Sequence, residues 1–410
     1  MNIYISGICG TGMGPLALMA ADAGLGVYGS DLKEGAVYPE LVKRNVKMNI
    51  GPQDGKFLRK IHQEVGIDYF VHSSAITDEN IEYQTARELD IKTSKRDELS
   101  NVLIEKQGAK LVAIAGTHGK TTTVSMLIWA CRQLSILTSY IVGTTLPFAP
   151  SGHYEAKARY FIYEADEYDR NFLHFRPWIA GITTVTFDHP DIYKDEADYK
   201  AAFAKFESQS EKVLYADKID ERLTLTGEAK RLDATLALQI LCELVKDSNL
   251  NISEEQIIEA LNNFPGSGRR FEKIADSIYS DYAHHPEEIA ATVELAKAEA
   301  AKLSLNGVVV VYEPHQNSRQ HQVLDKYQGV FNGLAKLYML PTFLTREDES
   351  LPVLTPTDLI KASGFENAEP AKLDNKLLNE IKKWRDDDYL ILLMSAGPAD
   401  KWLRNNFISA

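Results

Sequence analysis

The sequence predicts an α/β protein built on mostly parallel sheets, and three observations lead to that class. Short apolar runs rich in Val and Ile alternate with longer amphipathic runs along the whole chain, as in β–α–β units. Several of these apolar runs end in glycine-rich or acidic segments, the usual position of ligand-binding residues in parallel sheets. The 410 residues are 44% hydrophobic and 25% charged, an ordinary globular composition that suffices for about two to four domains.

Three domains are predicted, with joints near residues 108 and 273. In the first domain, strand-like NIYISGI and GVYGSD are separated by the helical run PLALMAADAG. We therefore predict a Rossmann-like domain over residues 1–108, a central P-loop ATPase-type domain with a mostly parallel sheet over 109–272, and a second Rossmann-like domain over 273–410.

In the central domain, KLVAIAG, ARYFIYEAD and WIAGITTVTFDH are predicted strands, and AKRLDATLALQILCELV is a predicted helix. A further helix begins after Ser253, whose hydroxyl suits the N-cap. In the last domain, SIYSDY, GVVVVYEP, KLYMLP and YLILLMSAG are predicted strands, and Pro286 suits the first position of a helix.

Composition and charge narrow the cellular setting. No apolar run reaches the ~18 residues of a membrane helix, and the N-terminus has no basic leader. Three widely spaced cysteines fit a reducing compartment. The net charge of −13 disfavours nucleic acid, so an anionic substrate needs local cations or helix N-termini. We expect a cytoplasmic protein that binds neither membrane nor nucleic acid, as a monomer or weak homodimer.

A glycine-rich loop between a buried strand and a helix is the strongest signal of a site. In GTHGKTTT, Gly116 stands two residues later than the first glycine of the usual phosphate loop. The loop amides, the helix N-terminus and Lys120 suit phosphates, and Thr121 offers a hydroxyl to Mg²⁺. The residues assigned to ATP here are Gly116, Thr117, His118, Gly119, Lys120, Thr121 and Thr122.

Acidic residues follow the predicted strand ARYFIYEAD. Four carboxylates crowd the stretch EADEYD, and they repel one another unless a cation neutralises them. Glu164, last on the strand, is the predicted Mg²⁺ contact. Asp188 and His189 stand at another predicted strand end, where His189 could bind a second Mg²⁺. The alternative for the acidic stretch is a solvated turn.

A second glycine-rich turn lies at the N-terminus. Gly7, Gly10, Gly12 and Gly14 are spaced G-x-x-G-x-G rather than in the dinucleotide pattern G-x-G-x-x-G. The turn suits a diphosphate, and Asp31, which ends the next strand, suits a ribose hydroxyl. A nicotinamide oxidoreductase is the alternative, and the wrong glycine spacing and the Lys120 loop argue against it.

Together, GTHGKTTT, EADE, DH, RRFE and DYAHHP resemble the landmarks of the Mur ligases, in the same order and over nearly the whole chain. The shortened loop at Gly116 is the form this family uses. The resemblance implies ATP and Mg²⁺ as cofactors. It implies that ATP phosphorylates the lactyl carboxylate of UDP-N-acetylmuramate and that L-alanine attacks the acyl phosphate, forming a peptidoglycan precursor. The alternatives are ligation of a tripeptide to the same sugar nucleotide, and a nucleotide-binding protein with reduced catalysis.

The resemblance also implies roles for individual residues. Lys120 holds the β- and γ-phosphates, Thr121 and Glu164 bind one Mg²⁺, and His189 binds a second. Arg270 approaches the γ-phosphate, Asp281 meets the nucleotide, and His284 and Arg319 face the amino acid. The residues assigned to the sugar nucleotide are Gly7, Gly10, Thr11, Gly12, Met13, Asp31, Ser73 and Ser74.

Two departures from the family pattern concern binding. Both asparagines of a His-Asn-x-x-Asn motif are missing, and Asp233 stands in the corresponding segment, where it could accept a hydrogen bond from the adenine amino group. After PH, the family has two arginines, whereas this chain has Gln316 and Arg319. Because glutamine carries no charge for the carboxylate of an amino acid, the identity of the amine stays open.

Overall fold

The computed structural model describes residues 1–74, 76–189, 191–345, 347 and 350–408. It contains three mostly parallel sheets with intervening helices, which confirms the predicted fold class. The described chain divides into two compact units, residues 1–224 with 230–265 and residues 225–229 with 266–410. The sheets follow one another along the chain in the order of the three predicted domains, whose boundaries stay a prediction.

The first sheet is parallel throughout and has five strands. Its helices are α1 (Met13–Asp22), α2 (Tyr38–Lys43), α3 (Lys56–Val65), α4 (Ile81–Glu88) and α5 (Arg96–Gln107). Its strands are β1 (Asn2–Ser6), β2 (Gly26–Asp31), β3 (Lys47–Ile50), β4 (Tyr69–His72) and β5 (Lys92–Lys95). The order β3-β2-β1-β4-β5 reverses direction at β1. The glycine-rich turn after β1 therefore lies where ligands bind in such sheets.

The second sheet centres on the strand that precedes the phosphate loop. Its strands are β6 (Lys110–Ala115), β7 (Thr138–Ile141), β8 (Gly152–His153), β9 (Tyr160–Glu164), β10 (Ile179–Ile182) and β11 (Lys212–Tyr215). Its helices are α6 (Lys120–Gln133), α7 (Glu196–Ser208), α8 (Glu228–Ser248) and α9 (Glu254–Asn262). The order is β11-β10-β6-β9-β7-β8, and within this sheet, as far as the structure describes it, only β8 pairs antiparallel. The ends of β9 and β10 thus stand on either side of the loop after β6.

Helix α1 joins the first two sheets into one hydrophobic core. Leu16 and Ala17 on this helix share a buried cluster with Ile141 and Phe161 of the second sheet. The approach is close enough that a Cβ atom on Gly152 would lie 1.8 Å from the carbonyl oxygen of Pro15. The two sheets therefore bury apolar surface against a common helix on this side.

Two predictions about element ends have different outcomes. Ser253 caps α9 as predicted, because its Oγ accepts from the Gln256 amide at 3.4 Å and the Gln256 side chain accepts from the Ser253 amide at 2.9 Å. The predicted strand WIAGITTVTFDH was too long, since β10 ends at Ile182. The following residues bond to the phosphate loop instead, where the amide of Thr117 donates to the carbonyl of Thr184.

The third sheet belongs to the second unit and has six strands. They are β12 (Glu272–Ala275), β13 (Ile278–Asp281), β14 (Val308–Glu313), β15 (Lys336–Met339), β16 (Ala368–Pro370) and β17 (Leu390–Ser395). The helices are α10 (Pro286–Lys302), α11 (Asn317–Val323), α12 (Pro356–Ser363), α13 (Asn375–Asp386) and α14 (Ala399–Phe407). The order of this sheet is β12-β13-β17-β14-β15-β16, and β12 alone among its described strands pairs antiparallel. Pro286 begins α10, as predicted.

Both faces of this third sheet are covered. Val308 and Val310 of β14 pack in one buried cluster with residues of α10 and α12, and Val309 and Val311 pack in another with α13 and α14. This explains why the strand reads as a continuous apolar run. None of the helices that the structure describes combines the length and apolar composition needed to span a bilayer.

Candidate active site

The phosphate loop connects β6 to α6 and depends on two glycines with positive φ. Gly116 has φ of 140° and Gly119 has φ of 88°, conformations that side chains disfavour. Thr117 fixes the loop to the segment after β10, since its Oγ1 donates to the carbonyl of Thr186 at 2.7 Å. A Cβ atom on Gly119 would lie 2.3 Å from Oδ1 of Asp233. Asp233 therefore lies directly against the loop.

Lys120 is the first residue of α6 and folds back over the loop. Its Nζ donates to the carbonyls of Gly116 and Thr117 and forms an ion pair with Oε2 of Glu167 at 2.8 Å. Burial disfavours its charged form, but the nearby carboxylates outweigh burial, above all Glu167, and raise the pKa of Lys120. The ammonium is thus held charged at the loop where phosphates would bind.

Thr121 and Glu164 meet as the predicted magnesium pair requires. The Thr121 hydroxyl donates to Oε1 of Glu164 at 2.7 Å, and the Gly143 amide donates to Oε2 at 2.8 Å. Glu164 is the last residue of β9, as predicted. Because β9 pairs with β6 in parallel, its end brings this carboxylate to the start of α6.

Glu167 links two predicted residues that are far apart in sequence. Its side chain is 2% exposed, and its Oε1 lies 3.6 Å from Nε2 of His189 and 3.0 Å from Nζ of Lys120. The Tyr193 hydroxyl donates to its carbonyl at 2.6 Å. Burial acts to raise the pKa of Glu167, but Lys120 and His189 lower it overall. In the sequence, Glu167 is only one of four crowded carboxylates. No local pattern indicates that it contacts Lys120 and His189.

His189 lies in the site but not at a strand end. The prediction placed it at the end of a strand, whereas β10 ends at Ile182 and His189 follows in an irregular segment with φ of 57°. The bonds between this segment and Thr117 replace the strand ladder there. His189 still lies 3.6 Å from the carboxylate of Glu167. The prediction was therefore wrong about the strand on which His189 lies, although His189 is beside the predicted acidic residues.

Asp166 and Arg96 form the neighbouring ion pair. Nη2 of Arg96 lies 3.5 Å from Oδ2 of Asp166, and it donates with Nε to the buried carboxylate of Asp97 at 3.0 Å each. Burial and the charge of Glu167 raise the pKa of Asp166, although Arg96 and Lys120 oppose them. Arg96 was not among the predicted site residues, because its contact with Asp166, which brings it to the site, spans 70 residues.

The N-terminal glycine-rich turn is open to solvent. Gly10 and Thr11 are exposed, and Met13 starts α1 with Gly12 at its N-cap. Asp31 shapes this turn from the end of β2, since its Oδ2 accepts from the Cys9 amide at 2.9 Å. Gly7 has φ of 72°, which explains the glycine after β1. Gly10 and Thr11 thus leave the turn accessible to a ligand, while Asp31 already bonds to the loop backbone.

Ser73 and Ser74 follow β4, the neighbour of β1 in the sheet. Ser74 donates to Oδ2 of Asp169 at 2.9 Å, and Lys95 forms an ion pair with the same oxygen at 2.5 Å. The structure therefore brings the two serines to the same sheet edge as Gly7. Their role in binding the sugar nucleotide stays a prediction.

In the second unit, Asp281 and Arg270 lie together at the end of β13. The Asp281 carboxylate accepts from the amides of Phe271 at 2.6 Å and Ala283 at 2.7 Å. Burial raises the pKa of Asp281, and Arg270 opposes this effect. The guanidinium of Arg270 lies 5.1 Å from the ring centre of Tyr282. The predicted approach of Arg270 to a γ-phosphate stays a prediction.

His284 and Arg319 are also in this unit. The ring of His284 packs edge-on against that of His315, with centres 5.6 Å apart, and its Nδ1 lies 3.1 Å from the Tyr282 carbonyl. Arg319 is buried and is the third residue of α11, after Asn317 and Ser318. Gln316 is the N-cap residue of this helix and has φ of 63°. Their assignment to the amino acid stays a prediction.

Comparisons with known proteins agree with this fold. The model "Mur ligase family, catalytic domain" matches residues 2–107, and "Mur ligase middle domain" matches residues 114–234. A UDP-N-acetylmuramate–L-alanine ligase of Fusobacterium nucleatum is 31% identical over 97% of this chain and 94% of its own length. Its namesake in Syntrophomonas wolfei is 31% identical over 98% and 95%.

Solved structures show the same architecture. A UDP-N-acetylmuramate-alanine ligase from Thermotoga maritima has a TM-score of 0.79 at 21% identity and covers 99% of this chain and 98% of its own. A murein peptide ligase from Psychrobacter arcticus has a TM-score of 0.66 at 20% identity and covers 100% and 99%. At these identities the likeness concerns the fold alone.

The chain shares with a class of ligases a sheet that carries a phosphate loop, with one Rossmann-like sheet before it along the chain and one after it. The chain belongs to the Mur ligase family within that class, because the family models match more than half of it and the similar relatives span nearly all of it. It is therefore an ATP-dependent ligase that joins a carboxylate to an amine.

Proposed function

We propose that the protein joins L-alanine to the lactyl carboxylate of UDP-N-acetylmuramate, with ATP converted to ADP and phosphate. The observation that carries the proposal is the meeting of Lys120, Thr121 and Glu164 at the start of α6, in a chain 31% identical over 97% of its length to a ligase of that name. The cytoplasmic location and the state as monomer or weak homodimer stay predictions.

The chemistry requires placement and charge neutralisation rather than a protein nucleophile. A substrate carboxylate attacks the γ-phosphorus of ATP, ADP leaves, and the acyl phosphate forms. The amine of L-alanine then attacks the acyl carbon, and phosphate leaves from the tetrahedral intermediate. Negative charge develops on the phosphate oxygens in the transition state. The N-terminus of α6 and Lys120 stabilise this charge. The pair with Glu167 keeps Lys120 charged before the nucleotide arrives.

The donor set beside the loop fits Mg²⁺. The Thr121 hydroxyl and the Glu164 carboxylate are hard oxygen ligands already 2.7 Å apart, and Mg²⁺ prefers one or two such groups together with phosphate oxygens. When bound, Mg²⁺ would neutralise charge on the transferring phosphate. His189 and Glu167, with Nε2 and Oε1 3.6 Å apart, could hold a second ion.

The amino-acid end of the reaction is assigned to the second unit. Arg319 offers one guanidinium to the carboxylate of the amine substrate, and Gln316 offers only an amide. A small amine with a single carboxylate, such as L-alanine, suits one guanidinium. This assignment follows the family resemblance.

The test is ADP release coupled to mass spectrometry of the product. We expect release only when ATP, UDP-N-acetylmuramate and L-alanine are all present, with glycine and L-serine slower and the recovered tripeptide inactive. The product should carry one added alanine on the sugar nucleotide. Faster turnover with the tripeptide would assign the chain to tripeptide ligation instead.

The Lys120→Met variant tests whether the charge of Lys120 is needed for ADP release, since methionine has a similar length without charge. We expect loss of ADP release by a factor of at least ~100 with retained folding. Release of ADP without either acceptor substrate, or unchanged release by the variant, would contradict the ligase assignment. A wild-type protein that binds ATP but never releases ADP would support the reduced-catalysis alternative.

A further inference from the structure

The side chain of Arg96 lies against the N-terminal glycine-rich turn. Arg96 is the first residue of α5, and its Nη1 would lie 2.8 Å from a Cβ atom placed on Gly12. Gly12 is the N-cap of α1. The guanidinium therefore occupies the space that a larger residue at Gly12 would fill, and it does so beside the N-termini of two helices.

The donors of this guanidinium divide into two sets. Nε and Nη2 bond to Asp97, and Nη2 also lies near Asp166. Nη1 faces the turn and makes no hydrogen bond to the residues that the structure describes. Two N–H groups of a side chain that is 20% exposed are thus directed at the place where the turn would hold a ligand.

A diphosphate at this turn would be stabilised further by a full positive charge, which the turn itself lacks. The segment GICGTGMG contains no lysine or arginine, and the chain has a net charge of −13. Helix N-termini contribute only partial charges. Arginine suits the task because its planar group keeps one edge on a carboxylate while the other edge binds phosphate.

We propose that Arg96 binds the diphosphate of the sugar nucleotide through Nη1, while Asp97 and Asp166 hold the guanidinium in place. The proposal rests on the proposed function for the identity of the ligand. It adds a binding residue outside the glycine-rich turn. Since Asp166 neighbours Glu167 and Lys120 in the ATP site, one guanidinium also connects the sugar-nucleotide turn to the acidic end of β9.

The competing explanation is that Arg96 only neutralises the buried carboxylate of Asp97 and the partly exposed carboxylate of Asp166. Three variants separate the two explanations. Arg96→Gln removes the charge, and Arg96→Lys keeps the charge without the second edge. Arg96→Gln combined with Asp166→Asn removes both charges of the 3.5 Å pair.

Arg44→Gln is the matched control. Arg44 is 18% exposed and forms an ion pair at 2.7 Å with Asp22, the last residue of α1. With 10 residues in α1, this pair lies about 15 Å from the turn at the other end of the helix. The control thus removes a similarly buried arginine, at the C-terminal end of α2, without touching the turn.

The measurements are steady-state kinetics for each substrate, and calorimetric binding of UDP and of uridine. We expect Arg96→Gln to raise KM for UDP-N-acetylmuramate and the Kd for UDP by roughly 10- to 100-fold. Uridine binding and KM for ATP should change far less, and Arg96→Lys should be intermediate. The double variant should keep the raised KM, and Arg44→Gln should behave as wild type.

Several outcomes would overturn the proposal. These are an unchanged Kd for UDP in Arg96→Gln, an equal loss of uridine binding, or recovery in the double variant. If Arg96→Gln does not fold, Arg96→Lys decides by the same measurements. A wild type that fails to turn over UDP-N-acetylmuramate would refute the proposed function, while UDP binding would still decide the role of Arg96. A wild type that does not bind UDP would refute both.

Discussion

Replacing Glu167 with glutamine isolates the charge that holds Lys120 and approaches His189. The Glu167 side chain is 2% exposed and that of Lys120 is 14% exposed. The substitution preserves shape and removes only the charge. It therefore tests whether this carboxylate is needed to keep the phosphate-loop lysine in place.

The expected loss of stability follows from the contacts that remain. Removing one partner of a buried ion pair costs about 3–5 kcal/mol when the other charge is left alone. Here Lys120 keeps the carbonyls of Gly116 and Thr117 as acceptors, and the glutamine oxygen can still accept from it. We therefore expect a loss of about 2 kcal/mol and a melting temperature lower by about 4 °C.

The assay is thermal unfolding of the nucleotide-free protein near neutral pH, followed by measurement of kcat. Glu243→Gln is the control, since Glu243 pairs with Lys212 at 2.5 Å but both side chains are partly exposed, at 26% and 41%. This control should lose less than ~1 kcal/mol and retain full activity. Glu167→Gln should lose both stability and kcat, because Lys120 and His189 lose their common partner.

An unchanged melting temperature in Glu167→Gln would refute the reasoning, since it would mean that the two carbonyls alone hold the charged Lys120. An equal loss in both variants would also refute it. Such a result would show that burial of the pair makes no difference to its contribution.

Three further outcomes follow from the described contacts. Glu164→Gln should raise the Mg²⁺ concentration for half-maximal activity by roughly 10-fold, measured by titration of turnover at saturating ATP, and an unchanged titration would remove Glu164 from the metal site. Gly119→Ala should raise KM for ATP by at least ~10-fold, because a side chain at φ of 88° is strained and would lie 2.3 Å from an Asp233 oxygen; normal ATP kinetics would contradict this. Asp247→Asn should cost roughly 1 kcal/mol or less at neutral pH. The hydrogen bond from Arg159 is the main cause that lowers the pKa of Asp247 below its usual 3.8. The ionised carboxylate therefore stabilises the fold fully above pH 3.8. This stabilisation is lost as the pH falls through the lowered pKa of the folded state. The stability difference from wild type, measured by urea unfolding, should therefore shrink in acid, and a difference that grows in acid would contradict the assignment.

Local patterns predicted the parts of the site that depend on the neighbouring residues in sequence. The apolar run before Gly116 and the threonines after Lys120 predicted a strand, a loop and a helix, and the structure has them at those positions. Glu164 was predicted as the end of its strand because the apolar run stops there and acidic residues follow. Backbone chemistry that is local in this way can be read from a single sequence.

Partners that meet only in the folded chain were not predictable in this way. The contact between Glu167 and Lys120 spans 47 residues, and the contact between Arg96 and Asp166 spans 70. The end of β10 at Ile182 was also missed, because TTVTF has strand propensity and its bonds to Thr117 and His118 redirect it. Tertiary hydrogen bonds overrode local propensity at that position.

Because the first two sheets share helix α1, the first sheet cannot be produced as a separate fragment without exposing apolar surface. Leu16 and Ala17 pack with Ile141 and Phe161, so a fragment ending at residue 108 would leave an apolar flank of α1 in water. We expect such a fragment to aggregate or to bind hydrophobic dyes. The turn at Gly12 and the loop at Gly119 thus belong to one compact unit and share one apolar core. We expect that core to set the spacing between the ligands of the two loops.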